Sequence, residues 1–365
     1  MSGNIAQLPS LRWGAGAISA AFVKDVTLHR KDALATHTIT ALGTSSLSKG
    51  EAFIAANFPS TSPPPTIHTS YDALFHDPSV DAVYIGTPHA LHHTNALSAI
   101  AAGKHILVEK AFTLNARQAA AVLRAAKERG VFVMEAMWTR FHPLIDDLRR
   151  VLFEQRLIGD VRRTFCDFGQ DHGIRGKARD SAQRDPALGA GSLLALGVYS
   201  LTWGLLTLEE ARAEEPEVVA QQSLVDGVDV ATTILLKYPS TGRQGILTSS
   251  SEFKGGWTFC RIEGTKGYIL VGGPYSSAPR EFSVWESNQR ADRPVQRQPI
   301  LERKYQVEGM GLYWEADAVA LDIAHGKTEN STMPHAETLR VMRVMDEVRR
   351  QGGAKFPQDD ADGHR

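Results

Sequence analysis

The chain has 365 residues, a length that suggests two domains of ordinary size. Hydrophobic residues make up 42% of it and charged residues 22%, an average composition that supplies an ample core. The formal net charge of −1 gives no reason to expect nucleic acid or an anionic membrane as a partner.

Short apolar runs alternate with helical periodicity from Leu8 to about Val133. Predicted strands are 38–43, 82–85, 105–108 and 131–134, and predicted helices are 49–57, 92–102 and 116–129. Gly130 lies where a helix C-cap is expected. This alternation predicts an α/β domain with a parallel, doubly wound Rossmann sheet, which we assign to residues 1–137.

The pattern changes after Trp138. A predicted helix, 144–153, precedes strands at 161–169, 218–224, 231–237, 245–252, 257–263 and 268–271, and helices 313–325 and 337–350 close the chain. Sequential strands joined by short loops form antiparallel sheets. We therefore predict a second, α+β domain over 138–365, with a large, mostly antiparallel open sheet that binds the substrate and joins two subunits in a homodimer.

Localisation follows from what the termini and the cysteines lack. Residues 1–10 have neither a basic patch nor an apolar run of signal-peptide length, and no segment approaches the roughly 20 apolar residues that span a bilayer. Cys166 and Cys260 lie in strand-like runs without metal-ligand spacing, so we expect buried free thiols. The expectation is a cytoplasmic protein that does not act at a membrane.

A glycine-rich turn opens the first predicted domain. Gly14, Gly16, Ala17 and Ile18 form a dinucleotide fingerprint in which Ser19 takes the place of the third glycine. Such glycines let the backbone approach a pyrophosphate, which meets the amide groups at a helix start. The alternative interpretation is an ordinary Gly/Ala-rich turn.

The end of the second strand predicts the cofactor. An NAD enzyme usually has Asp or Glu here to bind the ribose 2′-hydroxyl, but the first acid after this strand is the more distant Glu51. Polar and basic side chains that can donate to a 2′-phosphate stand there instead: Thr44, Ser45, Ser46 and Lys49. NADP is therefore favoured over NAD.

Glu109 and Lys110 follow the apolar strand 105–108. Ligands bind at the carboxyl edge of a doubly wound sheet, and a lysine partly desolvated there has a lowered pKa that suits proton transfer. The alternative is a solvated surface lysine. His89 and His92 come earlier, in a histidine-rich segment without acidic or cysteine partners, so no metal is expected.

Two blocks carry a resemblance to a known family. The segment 83–110 (with Tyr-Ile-Gly-Thr-Pro-His and Val-Glu-Lys) and the segment 134–143 (Met-Glu-Ala-Met-Trp-Thr-Arg-Phe-His-Pro) resemble the glucose–fructose oxidoreductase/inositol dehydrogenase (Gfo/Idh/MocA) family. They are most similar to the branch of dimeric dihydrodiol dehydrogenases and NADP-dependent D-xylose dehydrogenases. The resemblance implies that Thr87, Pro88, His89 and His92 lie beside the nicotinamide. It also implies that Lys110 binds the reacting hydroxyl.

A third block, 189–199, resembles the family segment that ends in the acid/base residue. Tyr199 occupies that last position, while Ala195 stands where the family has aspartate. A phenol with a pKa near 10 needs a nearby cation to work near neutrality, and Lys110 could supply it. The alternative for Tyr199 is a packed aromatic with a satisfied hydroxyl.

Further residues are implied to bind the substrate. Trp138 and Arg140 match the branch, and a flat aromatic suits a sugar face or an aromatic ring. Phe168 comes from a strand expected to face the cleft. Core packing is the alternative for Trp138.

The resemblance implies an NADP-dependent dehydrogenase that oxidises a ring hydroxyl, with D-xylose giving D-xylono-1,5-lactone as the first candidate. Oxidation of trans-dihydrodiols to catechols is the alternative within the same class. A non-catalytic, NADP-binding regulator of the same fold is the alternative outside it, and Ala195 favours that reading. Retention of both Lys110 and Tyr199 argues against a pure sensor, which needs neither.

Overall fold

A computed structural model describes residues 7–8, 17–58, 63–212, 214–287 and 298–361. Its contacts divide the chain into two compact units, Met1–Phe141 with Glu308–Met342, and His142–Val307 with Arg343–Arg365. The predicted boundary, between 137 and 138, placed the segment after Glu308 in the second domain. The structure places this segment in the first unit, because the Asp25 carboxylate accepts hydrogen bonds from the amides of Met310, Gly311 and Leu312.

The first unit is built from parallel strands and helices that alternate along the chain. The strands pair as β1–β2, β3–β4 and β5–β6–β7, every pair parallel, which confirms the predicted Rossmann-type α/β class. The elements are β1 Gln7–Leu8, α1 Ala17–Val26, β2 Thr36–His37, β3 Ala41–Gly43, α2 Leu47–Asn57, β4 Thr66–His68, α3 Tyr71–Phe75, β5 Ala82–Ile85, α4 His89–Ala101, β6 His105–Glu109, α5 Ala116–Arg129 and β7 Val133–Ala136.

Local sequence signals set the helix boundaries. The Asn115 side chain accepts a hydrogen bond from the Gln118 amide, 2.9 Å away, and so caps the start of α5. Gly130, with φ 70°, ends the same helix in the left-handed conformation, as predicted. The strands β5 and β7 are buried throughout, as is β6 after its first residue, so the carboxyl ends of these strands lie at the edge of a buried core.

The second unit carries an eight-stranded sheet in the order β15-β14-β13-β12-β8-β11-β10-β9. Only β8 and β11 pair in parallel within it, and the other pairs are antiparallel, which confirms the predicted mostly antiparallel sheet. From Pro143 to the end, the elements of both units are α6 Pro143–Arg149, β8 Val161–Gly169, α7 Val198–Leu208, β9 Glu217–Val225, β10 Val228–Lys237, β11 Gln244–Ser250, β12 Thr258–Gly264, β13 Gly267–Gly272, β14 Glu281–Glu286, β15 Leu301–Lys304, α8 Tyr313–Ala324, α9 His335–Gly352 and α10 Pro357–Ala361.

Helix α7 covers one face of this sheet and is buried along its whole length. Gly204 allows the close approach, since a Cβ there would lie 2.7 Å from Leu247 Cδ1. Within the described residues, one helical segment, Pro186–Leu208, has the length and the apolar composition needed to cross a membrane. The prediction that no segment approaches this length was wrong. Its most apolar window is 89% buried within the protein, as expected of a core helix.

The two cysteines lie on neighbouring strands of the same sheet. Cys166 of β8 is directly opposite Cys260 of β12, and both are buried free thiols, as predicted. Burial raises the pKa of the Cys166 thiol well above its ordinary value, which makes it a poor nucleophile.

Candidate active site

The dinucleotide fingerprint is described only in part. Gly14 and Gly16 lie outside the described residues, whereas Ala17 and Ile18 begin α1. Ser19, in the third glycine position, is buried, and a Cβ added to Gly86 would lie 2.7 Å from its Oγ. The close packing that the third glycine normally permits is therefore provided here by Gly86, at the end of β5.

The residues predicted to bind the 2′-phosphate lie together at the start of α2. Ser46 caps this helix by accepting from the Lys49 amide, and Lys49 Nζ lies 3.2 Å from Ser45 Oγ, both exposed. Thr44 is buried, and its amide donates to the His68 carbonyl at 2.9 Å. An exposed hydroxyl beside an ammonium group fits a phosphate ligand, and the strand end carries no competing carboxylate.

The turn between β5 and α4 contacts the main chain around Lys110. His92 is buried, with Nε2 2.8 Å from the Thr87 carbonyl and Nδ1 3.0 Å from the Ala111 carbonyl, while His89 Nε2 lies 3.3 Å from the Lys110 carbonyl. Burial lowers the pKa of His92, and the charge on Lys110 lowers it further. These two histidines, which follow Pro88, thus fix the loop after β6. Among the described residues, no group of three or more His, Cys, Asp or Glu side chains could hold a metal ion.

Glu109 ends β6 and Lys110 follows it at the carboxyl edge of the sheet, where the sequence predicted them. Tyr84 donates a 2.5 Å hydrogen bond to the Glu109 carboxylate, which is buried. Burial raises the pKa of Glu109 and lowers the pKa of the half-buried Lys110, and each charge moderates the shift of the other. A lysine with a lowered pKa is suited to proton transfer near neutrality.

Two further acids near this lysine were missed by the sequence analysis. Glu135 of β7 is 1% exposed and raises the pKa of Lys110, while Glu315 of α8 is fully buried and faces Glu109 and Glu135. Glu135 directly follows the predicted strand 131–134 and was given no role, although a glutamate next to an apolar strand was the available signal. Glu315 lies some 200 positions from the motif, so no local pattern could place it there.

Aromatic residues gather around Tyr199 in the second unit. The Phe168 ring lies 5.4 Å from the Tyr199 ring in an edge-to-face contact and 6.2 Å from the Tyr275 ring. Phe168 and Tyr199 are buried, but Tyr275 is 39% exposed. The structure therefore brings the predicted Phe168 and Tyr199 together and adds Tyr275, which the sequence analysis missed because it lies in a turn without a motif.

A buried carboxylate caps the helical segment that carries Tyr199. This segment begins with a π-helical turn, Leu193–Gly197, and continues as α7. Asp229 is 2% exposed and accepts hydrogen bonds from the Leu193 amide at 2.6 Å and the Thr232 hydroxyl at 3.0 Å. Burial raises the pKa of Asp229 to about 7, opposed by these hydrogen bonds and by the charge on Arg349. Ala195 lies within this capped segment.

The remaining predicted substrate residues are buried in the first unit. Trp138 is 2% exposed and begins a short 3-10 helix, Trp138–Phe141. Arg140 is 8% exposed and forms an ion pair with Glu337. This ion pair gives Arg140 a structural role, and substrate binding by Trp138 and Arg140 stays a prediction.

These features define a class of protein: an oxidoreductase with a Rossmann-type unit, an α+β unit and a lysine at the carboxyl edge of the parallel sheet. Residues 13–137 match GFO/IDH/MocA, described as an oxidoreductase family with an NAD-binding Rossmann fold, and residues 148–270 match the C-terminal domain of the same family. The chain belongs to the GFO/IDH/MocA oxidoreductase family, as the resemblance implied.

Relatives of known name agree with this assignment. The chain is 35% identical to D-xylose 1-dehydrogenase (NADP(+)) from Hypocrea jecorina, covering 96% of this chain and 94% of that protein. It is 33% identical to trans-1,2-dihydrobenzene-1,2-diol dehydrogenase from Sus scrofa, covering 96% and 99%. Aldose-aldose oxidoreductase from Caulobacter crescentus shares the fold, with a TM-score of 0.76, 21% identity and coverage of 95% and 98%.

Proposed function

We propose that this protein is an NADP-dependent dehydrogenase that oxidises the anomeric hydroxyl of D-xylopyranose to D-xylono-1,5-lactone. The observation that carries the proposal is the retention of both Lys110 and Tyr199 in a chain of this oxidoreductase family. A protein that only senses the nucleotide needs neither residue. The similarity to D-xylose 1-dehydrogenase (NADP(+)) supports the choice of substrate and cofactor.

The proposed reaction removes one proton and one hydride from the sugar. Lys110 hydrogen-bonds the reacting hydroxyl, and Tyr199 accepts its proton as the C1–O bond becomes a carbonyl bond. When bound, NADP supplies the acceptor for the C1 hydride at its nicotinamide ring. The products are the lactone, the reduced cofactor and one proton, which leaves through Tyr199.

NADP is expected to bind more tightly than NAD, because Ser45 and Lys49 can donate to a 2′-phosphate. Replacing Ser45 with aspartate places a carboxylate at that position, which repels the phosphate and accepts from a ribose hydroxyl. We expect Ser45→Asp to shift the ratio of the two Kd values toward NAD by about tenfold or more, or about 1.4 kcal/mol. Titration of intrinsic tryptophan fluorescence measures both constants.

The matched control for this test is Ala55→Asp, which adds the same charge at an exposed position further along α2, away from its start. It should leave the cofactor preference close to that of the parent. An NADP affinity equal to or weaker than that for NAD in the parent chain would refute the proposed cofactor.

Among aldoses, D-xylose is expected to have a higher kcat/KM than D-glucose, because D-glucose carries an additional hydroxymethyl group that a substrate site for D-xylose must accommodate. Reduction of NADP at 340 nm gives the rates, and NMR identifies the lactone before it hydrolyses. D-Glucose oxidised as efficiently as D-xylose would contradict this prediction.

Oxidation of trans-dihydrodiols is the second candidate function. The contact of Phe168 with Tyr199 and Tyr275 favours it, since an aromatic wall suits a flat carbocyclic ring, and so does the similarity to the dihydrodiol dehydrogenases. A far higher kcat/KM for benzene dihydrodiol than for any aldose would make this the function. Tight NADP binding without reduction by any aldose or diol would instead identify a sensor. The homodimer through the eight-stranded sheet and the cytoplasmic location remain proposals.

A further inference from the structure

Three carboxyl groups lie buried around the end of β6 in the first unit. They come from three elements, β6, β7 and α8, and are at most 3% exposed: Glu109, Glu135 and Glu315. Each faces Lys110 or another member of the group, as the shifts of their pKa values record. Burying several acids beside one lysine is costly unless their charges are balanced.

We propose that Glu135 is a positioning residue for Lys110, which holds the main chain just after the lysine and supplies negative charge that keeps the lysine protonated. This inference deepens the proposed function, on which it rests.

The side chain of Glu135 contacts the main chain just after Lys110. Glu135 lies on β7 opposite Val108 of β6, and its Oε1 accepts a 3.1 Å hydrogen bond from the Phe112 amide. Phe112 comes two residues after Lys110. This bond therefore fixes the main chain just after the lysine, where the chain leaves β6. His92 holds the intervening Ala111 through its carbonyl. The loop is thus fixed by side chains from two different elements.

Glu135 also acts on Lys110 through its charge. The carboxylate of Glu135 raises the pKa of Lys110, against the burial that lowers it. Burial raises the pKa of Glu135 itself to about 7, so its charge is present above neutrality and is lost as the pH falls below about 7. The other groups that bear on this balance are Glu109 and His92 beside Lys110, and Thr338, Phe112, Arg140 and Glu337 beside Glu135.

Glu315 differs from Glu135 in a way that supplies a matched control. Burial and the charges of Glu109 and Glu135 raise the pKa of Glu315 well above its ordinary value. Within the described part of the chain, neither of its carboxyl oxygens has a hydrogen-bond partner. The charges that raise the pKa of Lys110 are those of Glu109 and Glu135. Glu315→Gln therefore changes a neighbouring buried acid without removing either of these charges, whereas Glu135→Gln removes one of them.

The test measures the protonation of Lys110 directly, without substrate or NADP. The full chain is pulse-acetylated across a pH series, and mass spectrometry of the Lys110 peptide gives the midpoint at which the neutral amine reacts. Glu135→Gln should lower this midpoint by about one unit, the smaller end of the effect of a nearby opposite charge. Glu315→Gln should leave the midpoint at the parental value.

Glu135→Asp keeps the charge but shortens the side chain, so it separates the two roles. Its midpoint should stay closer to that of the parent than the midpoint of Glu135→Gln, even if the bond to Phe112 is lost. Circular dichroism melting shows whether each variant is folded, and Glu135→Asp carries the test if Glu135→Gln is not.

Activity provides a second readout. If the protonated lysine is the active form, activity falls as the pH rises through its pKa, so Glu135→Gln should move this basic limb of kcat/KM to lower pH while the Kd of NADP stays unchanged. An unchanged Lys110 midpoint in Glu135→Gln, or an equal fall in Glu315→Gln, would overturn the inference. Failure of every sugar to react, with the midpoint still shifted, would instead refute only the proposed function.

Discussion

Lys110→Met and Tyr199→Phe should each reduce turnover by about 10²-fold or more, the usual effect of losing an acid/base group. Methionine has a similar length to lysine but cannot donate a proton, and phenylalanine keeps the ring of Tyr199 in its contact with Phe168. The loss should therefore appear in kcat rather than in folding. Steady-state kinetics with D-xylose and NADP measure it.

The control for Tyr199→Phe is the cofactor, whose binding should largely survive. A matched substitution, Tyr268→Phe, removes a phenol from a ring that stacks on Trp285 in β14, and it should keep parental turnover. If Lys110→Met and Tyr199→Phe both retain near-parental turnover, the assigned chemistry is wrong and the regulator gains support.

Gly191→Ala is expected to cause the largest loss of stability, about 2–4 kcal/mol of the free energy of unfolding. Gly191 has φ 147°, which a residue with a Cβ rarely adopts, and that Cβ would lie 2.1 Å from Asp229 Oδ1. Relief of the clash must displace Asp229 from the Leu193 amide and so remove the cap of the segment that carries Tyr199. Urea unfolding measures the change.

Gly176→Ala is the matched control, because a Cβ there meets nothing within 4 Å and the backbone is not left-handed. It should stay within about 0.5 kcal/mol of the parent, as surface substitutions usually do. A Gly191→Ala variant as stable as this control would show that the segment can shift freely, and Asp229 would then not be its anchor.

The sequence was informative where chemistry and periodicity coincide along a short stretch. It placed β5 and α5 correctly to the residue and put Lys110 at the edge of the sheet, because apolar strands and capped helices are local patterns. It missed β14 and β15, and it did not anticipate that β8 and β11 pair in parallel. Strand order is set by contacts between distant segments, which no local pattern encodes.

The site was predicted unevenly for the same reason. Phe168 and Tyr199 were predicted as site residues and lie in contact, while their roles stay predictions. Tyr275, which contacts Phe168, and the cap Asp229 come from separate strands and turns. Glu135 was visible as an acid next to the apolar run 131–134, yet its contact with the Phe112 amide depends on the β6–β7 register. Sequence motifs supplied the predicted reacting groups, and the structure shows which residues hold the main chain near them.

The return of residues 308–342 to the first unit has a consequence for synthesis. The ribosome must deliver more than four-fifths of the chain before Met310, Gly311 and Leu312 can reach Asp25, a contact that spans 287 positions at its widest. During translation the Asp25 carboxylate and the edge of β7, whose Val133 amide donates to the Thr328 carbonyl, therefore stay uncovered until the whole eight-stranded sheet has been synthesised. A gene fragment that stops after residue 137 would encode a unit without Glu315 and without its closing segment, so cloning boundaries for an isolated nucleotide-binding unit should retain both pieces.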